Sequence, residues 1–122
     1  MISNGIDLVN IHRFQDLVNN KTIMNSIFTE KELQYIQKRN SNLSTIAGLF
    51  AAKEAFLKAL KKGINHYSMK DIEISHDNNN APFIILHNQI KKDFLIENLS
   101  LSISHDGDYS IAVVSILSNC SL

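Results

Sequence analysis

The order of apolar and polar positions divides this 122-residue chain into two parts with different periods. Residues 2–9 form a short, mainly apolar run, which predicts a buried strand with Gly5 inside it. Ile11, Phe14 and Leu17 then recur at helical spacing. Beyond residue 70 the apolar and polar residues alternate, a pattern typical of strands with one solvent-facing side.

Two further helices are indicated by signals at their ends. Thr29 and Glu32 have the spacing of a capping box, in which each residue satisfies a backbone amide of the other, and they predict the start of a short helix. A polar stretch follows, and Ser44 or Thr45 is expected to cap a much longer helix. That helix is predicted to end at Gly63, because glycine readily takes the left-handed conformation that closes a helix.

The second half of the chain predicts strands joined by turns. A cluster of asparagines separates two strands, and Asp106 with Gly107 is a strong hairpin signal between two others. The predicted strands are 71–75, 82–86, 99–105 and 109–117, with a short helix near 90–95. The sequence therefore predicts one α+β domain over residues 1–122, in which N-terminal helices, including one long helix, pack on a small antiparallel sheet.

The composition argues against several classes of protein. Twelve basic and twelve acidic residues leave no net charge, whereas nucleic-acid-binding proteins usually carry a basic excess. No segment reaches the roughly 20 apolar residues that a membrane span needs, and the N-terminus lacks the pattern of a secretory signal. The lone cysteine, Cys120, has no internal disulfide partner. We expect a cytoplasmic protein that binds neither nucleic acid nor membrane.

The long helix carries an acid and a base one turn apart, Glu54 and Lys58. Pairs at this spacing are usually exposed ion pairs worth a few tenths of a kcal/mol. Here small alanines share the same broad face, so we expect the helix backbone to be accessible to a bulky ligand. These alanines are Ala47, Ala51, Ala55 and Ala59.

Two more polar residues lie at positions that favour a role in catalysis or ligand binding. Asp7 lies where the first strand meets the following helix, where an ordinary helix cap is an equal alternative. His105 precedes the hairpin turn and has a surface histidine as its alternative. The histidines show no ligand-pair spacing, which argues against zinc. Two carboxylates without histidine ligands suit Mg²⁺, which binds one or two carboxylates together with water and substrate phosphates.

Three tracts together resemble the 4′-phosphopantetheinyl transferases, and the short length resembles their single-domain type. The tracts are 5–14 (GIDLVNIHRF), 50–59 (FAAKEAFLKA) and 102–105 (SISH). They occur in the family's order, and the central tract is highly specific. The resemblance implies transfer of phosphopantetheine from coenzyme A to a serine of apo acyl carrier protein, with release of adenosine 3′,5′-bisphosphate, in support of fatty acid biosynthesis.

The resemblance also implies roles for individual residues. Asp7 and Glu54 match the metal-binding acids, and Lys58 matches the lysine at the diphosphate. Ser104 and His105 match a hydroxyl–histidine pair near the phosphates of coenzyme A. Arg13, in turn, matches a basic position that meets the acidic carrier protein.

Two positions depart from the family pattern. Asn10 stands where an acid is frequent, and Leu49 stands where an arginine is frequent. Loss of that arginine should weaken the binding of the coenzyme A phosphates. Lys53, Lys61 and Lys62 are candidates to replace its charge.

The implied mechanism leaves the general base open between Glu54 and a metal-bound water, with Lys58 steadying the leaving group. The resemblance further implies a homotrimer with sites between protomers, so that His105 of one chain serves the acids of its neighbour. One rival is a non-catalytic protein that binds coenzyme A or a carrier protein on the same scaffold. Another is a structural oligomer in which Glu54 and Lys58 form only an ion pair.

Overall fold

The computed structural model describes residues 1–61, 67–94 and 98–117. Its strands are β1 (Ile2–Asn10), β2 (Ile72–His76), β3 (Pro82–Leu86), β4 (Asn98–Asp106) and β5 (Tyr109–Leu117). Its α-helices are α1 (Lys21–Ile27), α2 (Glu30–Lys38), α3 (Leu43–Ala59) and α4 (Asn88–Asp93). Short 3-10 helices cover Ile11–Phe14, Leu17–Asn19 and Met69–Asp71. In this part of the chain no helix is long and apolar enough to cross a membrane.

The strands form two antiparallel sheets rather than one. The larger sheet has the order β1-β5-β4, and β2 pairs with β3 in a separate hairpin. In the larger sheet Asp7 pairs with Ala112, which pairs in turn with Ile103, so these three residues share one face. The predicted α+β class is confirmed, and the two-sheet arrangement corrects its detail.

Helix α3 is the centre of the core. Most of its circumference is buried, as expected for a helix covered on several sides. Strand β1 crosses it at such close range that a Cβ on Gly5 would lie 1.9 Å from the carbonyl oxygen of Ala55. The hydroxyl of Ser3 also donates a hydrogen bond to the carbonyl of Ala59. The alanine face is therefore covered by the protein's own sheet, and the expectation that it admits a ligand is wrong.

A buried polar network joins α2, α3 and the smaller sheet. The predicted capping box of Thr29 and Glu32 is confirmed. The carboxylate of Glu32 also accepts hydrogen bonds from the ammonium of Lys53 at 2.8 Å and the amide of Ile74 at 2.8 Å. Thr29 donates a further hydrogen bond to Glu73. Because these groups are buried and paired, the network fixes α2 and β2 against the middle of α3.

The ends of the helical segments differ from the predictions. Asn42, not Ser44 or Thr45, caps α3, and its side chain accepts a hydrogen bond from the Ser44 amide. The helix ends at Ala59, and Lys61 takes a positive φ of 62° two residues later. Gly63, the predicted end, lies outside the described residues. The predicted helix after β1 is present as 3-10 turns.

Candidate functional site

The crossing of β1 and α3 brings three of the predicted site residues together. The ammonium of Lys58 donates to Asp7 Oδ1 at 2.9 Å and to the Ile6 carbonyl at 3.0 Å. The Asp7 side chain is 14% exposed, whereas that of Lys58 is 56% exposed. Lys58 therefore pairs with Asp7, and its ammonium keeps a third proton for a group in solvent.

Glu54 is the second carboxylate of this cluster. It is half-buried, and burial raises the pKa of Glu54, as does the nearby charge of Asp7, while Lys58 and Arg13 act in the opposite direction. Two carboxylates that repel each other beside water make a natural place for a cation. Within the described residues no group of three or more histidine, cysteine or acidic side chains could hold a metal ion. Asp7 and Glu54 are two carboxylates close enough for the charge of one to act on the other.

Arg13 lies at the rim of the same cluster. Its guanidinium stands 5.2 Å from the centre of the Phe50 ring, and Phe14 packs edge-on against the same ring at 5.3 Å. The cation–π contact holds the arginine while leaving it exposed to solvent. Its charge also reaches Glu54. Arg13 is therefore available to an acidic partner next to the carboxylates.

His105 lies in a separate cleft, beside the N-terminal half of α3. The cleft has a volume of about 240 Å³. The imidazole ring of His105 packs over Gly48, where an added Cβ would lie 2.8 Å from His105 Cε1. Gly48 and Glu54 are six residues apart, which is about 9 Å along a helix axis. The cleft is lined by Tyr35, Arg39, Thr45, Gly48, Leu49, His76, Asn80, Pro82, Ile103 and His105.

A short hydrogen-bond chain sets the tautomer of His105. Ser110 donates its hydroxyl proton to the Ser44 carbonyl at 2.9 Å, so it can only accept from His105 Nδ1, which lies 2.7 Å away. The neutral imidazole therefore carries its proton on Nδ1, and Nε2 is left without one. Burial lowers the pKa of His105. In the neutral ring Nε2 is therefore an open hydrogen-bond acceptor.

The predicted pair of Ser104 and His105 is not formed within one chain. Adjacent residues of a strand point to opposite faces of the sheet. Ser104 is exposed on the outer face beside Ile111, while His105 faces α3. The hydroxyl that contacts His105 belongs to Ser110, a residue the sequence analysis missed.

The three lysines proposed to replace the family arginine lie in different environments. Lys53 is 0% exposed, and its ammonium donates to Glu32, to the Met69 carbonyl and to the Ile72 carbonyl. The prediction that Lys53 binds the cofactor is therefore wrong, because all three protons are used inside the protein. Lys61 is exposed just beyond the end of α3. Lys62 lies outside the described residues.

The cleft contains cationic and aromatic residues that sequence reasoning did not select. Arg39 and Leu49 line it together, so an arginine is present close to the position where the family arginine is missing. His76 and Tyr35 line the same space. Arg39 follows α2 and His76 ends β2, and no spacing rule connects those two positions. Only the packing of β2 and β3 near α2 brings them together.

Comparisons with known proteins show the family of this chain. The family model of the 4′-phosphopantetheinyl transferase superfamily matches residues 3–114. The holo-[acyl-carrier-protein] synthase of Caldicellulosiruptor saccharolyticus is 45% identical over 111 residues, which are 88% of this chain and 89% of that protein.

Solved structures give the same result. The holo-[acyl-carrier-protein] synthase of Helicobacter pylori, determined in complex with coenzyme A, is 39% identical with a TM-score of 0.84, covering 96% of this chain and 100% of that one. The corresponding enzyme of Neisseria meningitidis is 30% identical with a TM-score of 0.86, covering 97% and 100%. With matches of this extent in sequence and fold, the chain belongs to the 4′-phosphopantetheinyl transferase superfamily, alongside the holo-[acyl-carrier-protein] synthases.

Proposed function

We propose that this protein transfers the 4′-phosphopantetheine group of coenzyme A to a serine of apo acyl carrier protein, in support of fatty acid biosynthesis. The observation that carries the proposal is the cluster of Asp7, Glu54 and Lys58 at the crossing of β1 and α3. The proposal is also supported by the chain's membership of the superfamily and by the names of its relatives.

The donor set of the cluster fits Mg²⁺. The ion prefers oxygen ligands, and it commonly binds one or two carboxylates and completes its shell with water and substrate phosphates. Asp7 and Glu54 would hold it, and the raised pKa of Glu54 reflects burial and a like charge that a cation would relieve. When bound, the ion would stabilise the negative charge of the diphosphate.

The chain's own groups account for the transfer step. The serine oxygen of the carrier attacks the β-phosphorus of coenzyme A, and the bond from that phosphorus to the oxygen bridging it to the α-phosphorus breaks. We propose Glu54 as the group of this chain that takes the serine proton, the other candidate base being a metal-bound water. The remaining proton of Lys58 faces solvent and can stabilise charge on the departing adenosine 3′,5′-bisphosphate.

The cleft around His105 suits the nucleotide end of coenzyme A. It contains Arg39 and the open Nε2 of His105, and in the shared site proposed below it would serve the carboxylates of a neighbouring protomer. Arg39, rather than a lysine of α3, then supplies the charge that the family places at Leu49. Lys61, exposed near Lys58, remains available to the diphosphate end.

We further propose a homotrimer with each site shared between two protomers. The outer face of the larger sheet exposes apolar side chains that a monomer would leave in water: Ile2 at 71%, Ile6 at 56%, Leu8 at 59%, Val113 at 39% and Leu117 at 44%. Contiguous apolar patches of this kind favour association. Ser104 shares this outer face, so it would act at the interface rather than beside its own His105.

The carrier protein is expected to dock at the rim around Arg13. Carrier proteins are acidic, and the guanidinium on Phe50 is exposed next to Glu54. A partner held there would bring its serine close to the carboxylates. Complementary charges at such a rim act mainly on the rate of encounter.

The test is to incubate the protein with Mg²⁺, coenzyme A and an apo acyl carrier protein and to weigh the carrier by mass spectrometry. The proposal expects the carrier to gain one phosphopantetheine group, and adenosine 3′,5′-bisphosphate to accumulate in equal amount. Glu54→Gln is the matched control. Binding of coenzyme A with no change in carrier mass would instead support the non-catalytic alternative.

A further inference from the structure

Ser3 places a hydroxyl in the core where β1 crosses α3. It is 3% exposed and lies on the inner face of the larger sheet, paired with Ile116 of β5. Burial of a hydroxyl is unfavourable unless it is hydrogen-bonded, and this one donates to the Ala59 carbonyl at 2.5 Å. Ala59 is the last residue of α3, where a helix leaves its own carbonyls unpaired. Ser3 therefore ties the first strand to the C-terminal turn of the long helix.

The same turn of α3 is tied to β1 at a second point. Lys58 donates to the Ile6 carbonyl at 3.0 Å and to Asp7 Oδ1 at 2.9 Å. Between the two ties, Gly5 lies directly against the backbone of the helix. Bonds on either side of a close contact fix both the position and the rotation of the last turn of α3 against the strand.

The two ties differ in what the proposed reaction demands of them. The Lys58 side chain is 56% exposed, and exposed ion pairs contribute little to stability. In the proposed transfer step the ammonium also binds the departing bisphosphate, which competes with Asp7 for its N–H donors. The bond from Ser3 is buried and remote from the transferred group. It is therefore the tie that persists while Lys58 serves the leaving group.

We propose that Ser3 is a positioning residue for Lys58. Its bond to Ala59, the residue after Lys58, holds the last turn of α3 on β1, so that the ammonium reaches the leaving group from a fixed backbone. The inference rests on the proposed function, which gives Lys58 that task. Ser3 does not touch the reacting atoms, because it precedes Asp7 by four residues, about 13 Å along a strand.

The single-turnover rate of carrier modification, at saturating coenzyme A, measures the transfer step apart from product release. Ser3→Ala removes the hydroxyl, and we expect a rate about tenfold lower, less than the roughly 10²-fold that a misplacement of about 1 Å can cost. The KM for coenzyme A should change less than about twofold, because Ser3 acts on the transition state and not on substrate binding. Ser3→Thr keeps the hydroxyl and should restore most of the rate.

A double-mutant cycle with Lys58→Gln tests whether Ser3 acts through Lys58. Residues that serve one function show non-additive effects, so Ser3→Ala should slow the Lys58→Gln protein by less than about twofold. A full tenfold loss in both backgrounds would show that Ser3 acts elsewhere, and the inference would be wrong.

Ile90→Val is the matched control for general destabilisation. Ile90 is fully buried in α4, and loss of one methyl group there weakens the core without touching β1 or α3 directly. The variant should keep the wild-type rate at a temperature where all the proteins are folded. A loss of rate equal to that of Ser3→Ala would reduce Ser3 to a stabilising residue and overturn the inference.

Native-state amide hydrogen exchange tests the same tie without any activity. In Ser3→Ala the amides of residues 56–59 should exchange about tenfold faster, the effect of losing one hydrogen bond, while those of the first turns of α3 keep their protection. Ile90→Val should leave this difference between the two ends of α3 unchanged.

Equal rates in Ser3→Ala and the wild type, or unchanged exchange in the last turn of α3, would overturn the inference and leave the proposed function standing. A wild-type protein that does not modify the carrier would overturn both, because Lys58 would then have no leaving group to serve.

Discussion

Lys58 donates its hydrogen bond to Asp7, 51 residues away in sequence, rather than pairing with Glu54 one turn earlier on its own helix. The N···O distance is 2.9 Å, and a second bond from the same ammonium reaches the carbonyl of Ile6. A contact between α3 and β1 has replaced the local helical pair. Glu54 is thereby left without a basic hydrogen-bonding partner in the described chain, which keeps its carboxylate open to a ligand.

Removing either carboxylate should abolish metal binding and turnover together. Asp7→Asn and Glu54→Gln preserve side-chain volume, so we expect a folded protein whose turnover is at least about 10²-fold lower, the scale of losing a main electrostatic stabiliser. The measurement is carrier modification at limiting Mg²⁺. Glu30→Gln, at an exposed acid of α2, is the control and should retain full activity. Near-normal turnover in either site variant would remove that residue from the metal site.

The features that could be predicted from the sequence are those made by residues close together along the chain. The strand with Gly5, the capping box at Thr29 and the hairpin at Gly107 were predicted, because each depends on neighbours in sequence. The burial of Lys53 was not predicted, because it depends on an ion pair with Glu32, which lies on another helix. For the same reason the Arg39–His76 cleft has no local pattern.

The close contact of β1 with α3 should make Gly5 intolerant of any side chain. A Cβ there would lie 1.9 Å from the carbonyl oxygen of Ala55 and 2.6 Å from the amide nitrogen of Ala59, both of them backbone atoms. Gly5→Ala should therefore cost about 3 kcal/mol or more of unfolding free energy. It should also reduce turnover, because β1 carries Asp7.

Gly107→Ala is the matched control for that change. Gly107 has a φ of +56° with open space around its Cβ position, so alanine there costs only backbone strain, about 1 kcal/mol. Urea denaturation measures both variants. If Gly5→Ala were no more destabilising than Gly107→Ala, and equally active, the helix–strand contact would be looser than described.

Lys53 should matter for stability and not for coenzyme A binding. Lys53→Met leaves the buried carboxylate of Glu32 without its counter-charge, which should cost about 3–5 kcal/mol of unfolding free energy. Burial lowers the pKa of Lys53 against the opposing charge of Glu32, so each group depends on the other. The double variant Lys53→Met/Glu32→Gln removes both charges and should recover a large part of the loss.

The KM for coenzyme A separates the two roles of Lys53. For Lys53→Met, measured at a temperature where the variant is folded, it should stay within about twofold of the wild-type value, well below the tenfold effect of losing a charged contact. A large increase in KM without loss of stability would return Lys53 to the binding site.

Acid should weaken the fold through Glu73. Burial acts to raise the pKa of Glu73, but hydrogen bonds from Thr29 and His87 outweigh it, and the net direction is downward. A lowered folded-state pKa gives stability that is complete above the unfolded value, about 4.3, and is lost as the pH falls through the folded value. Urea unfolding between pH 6 and 3 should therefore show a smaller acid-dependent loss for Glu73→Gln than for the wild type. A matching slope in the two proteins would contradict the linkage.

A shared site predicts that two inactive chains restore activity when mixed. Glu54→Ala lacks an acid of the cluster and His105→Ala lacks the histidine of the cleft, so each should be inactive alone. If the cleft of one protomer serves the cluster of its neighbour, random co-assembly pairs an intact His105 with an intact Glu54 at about one interface in four. Refolding equal amounts together should then return roughly a quarter of wild-type activity, with a trimer mass by light scattering.

Mixing the two folded proteins without refolding is the control, and it should give less activity wherever subunits exchange slowly. Activity that stays at the level of the separate variants would place all the groups within one chain.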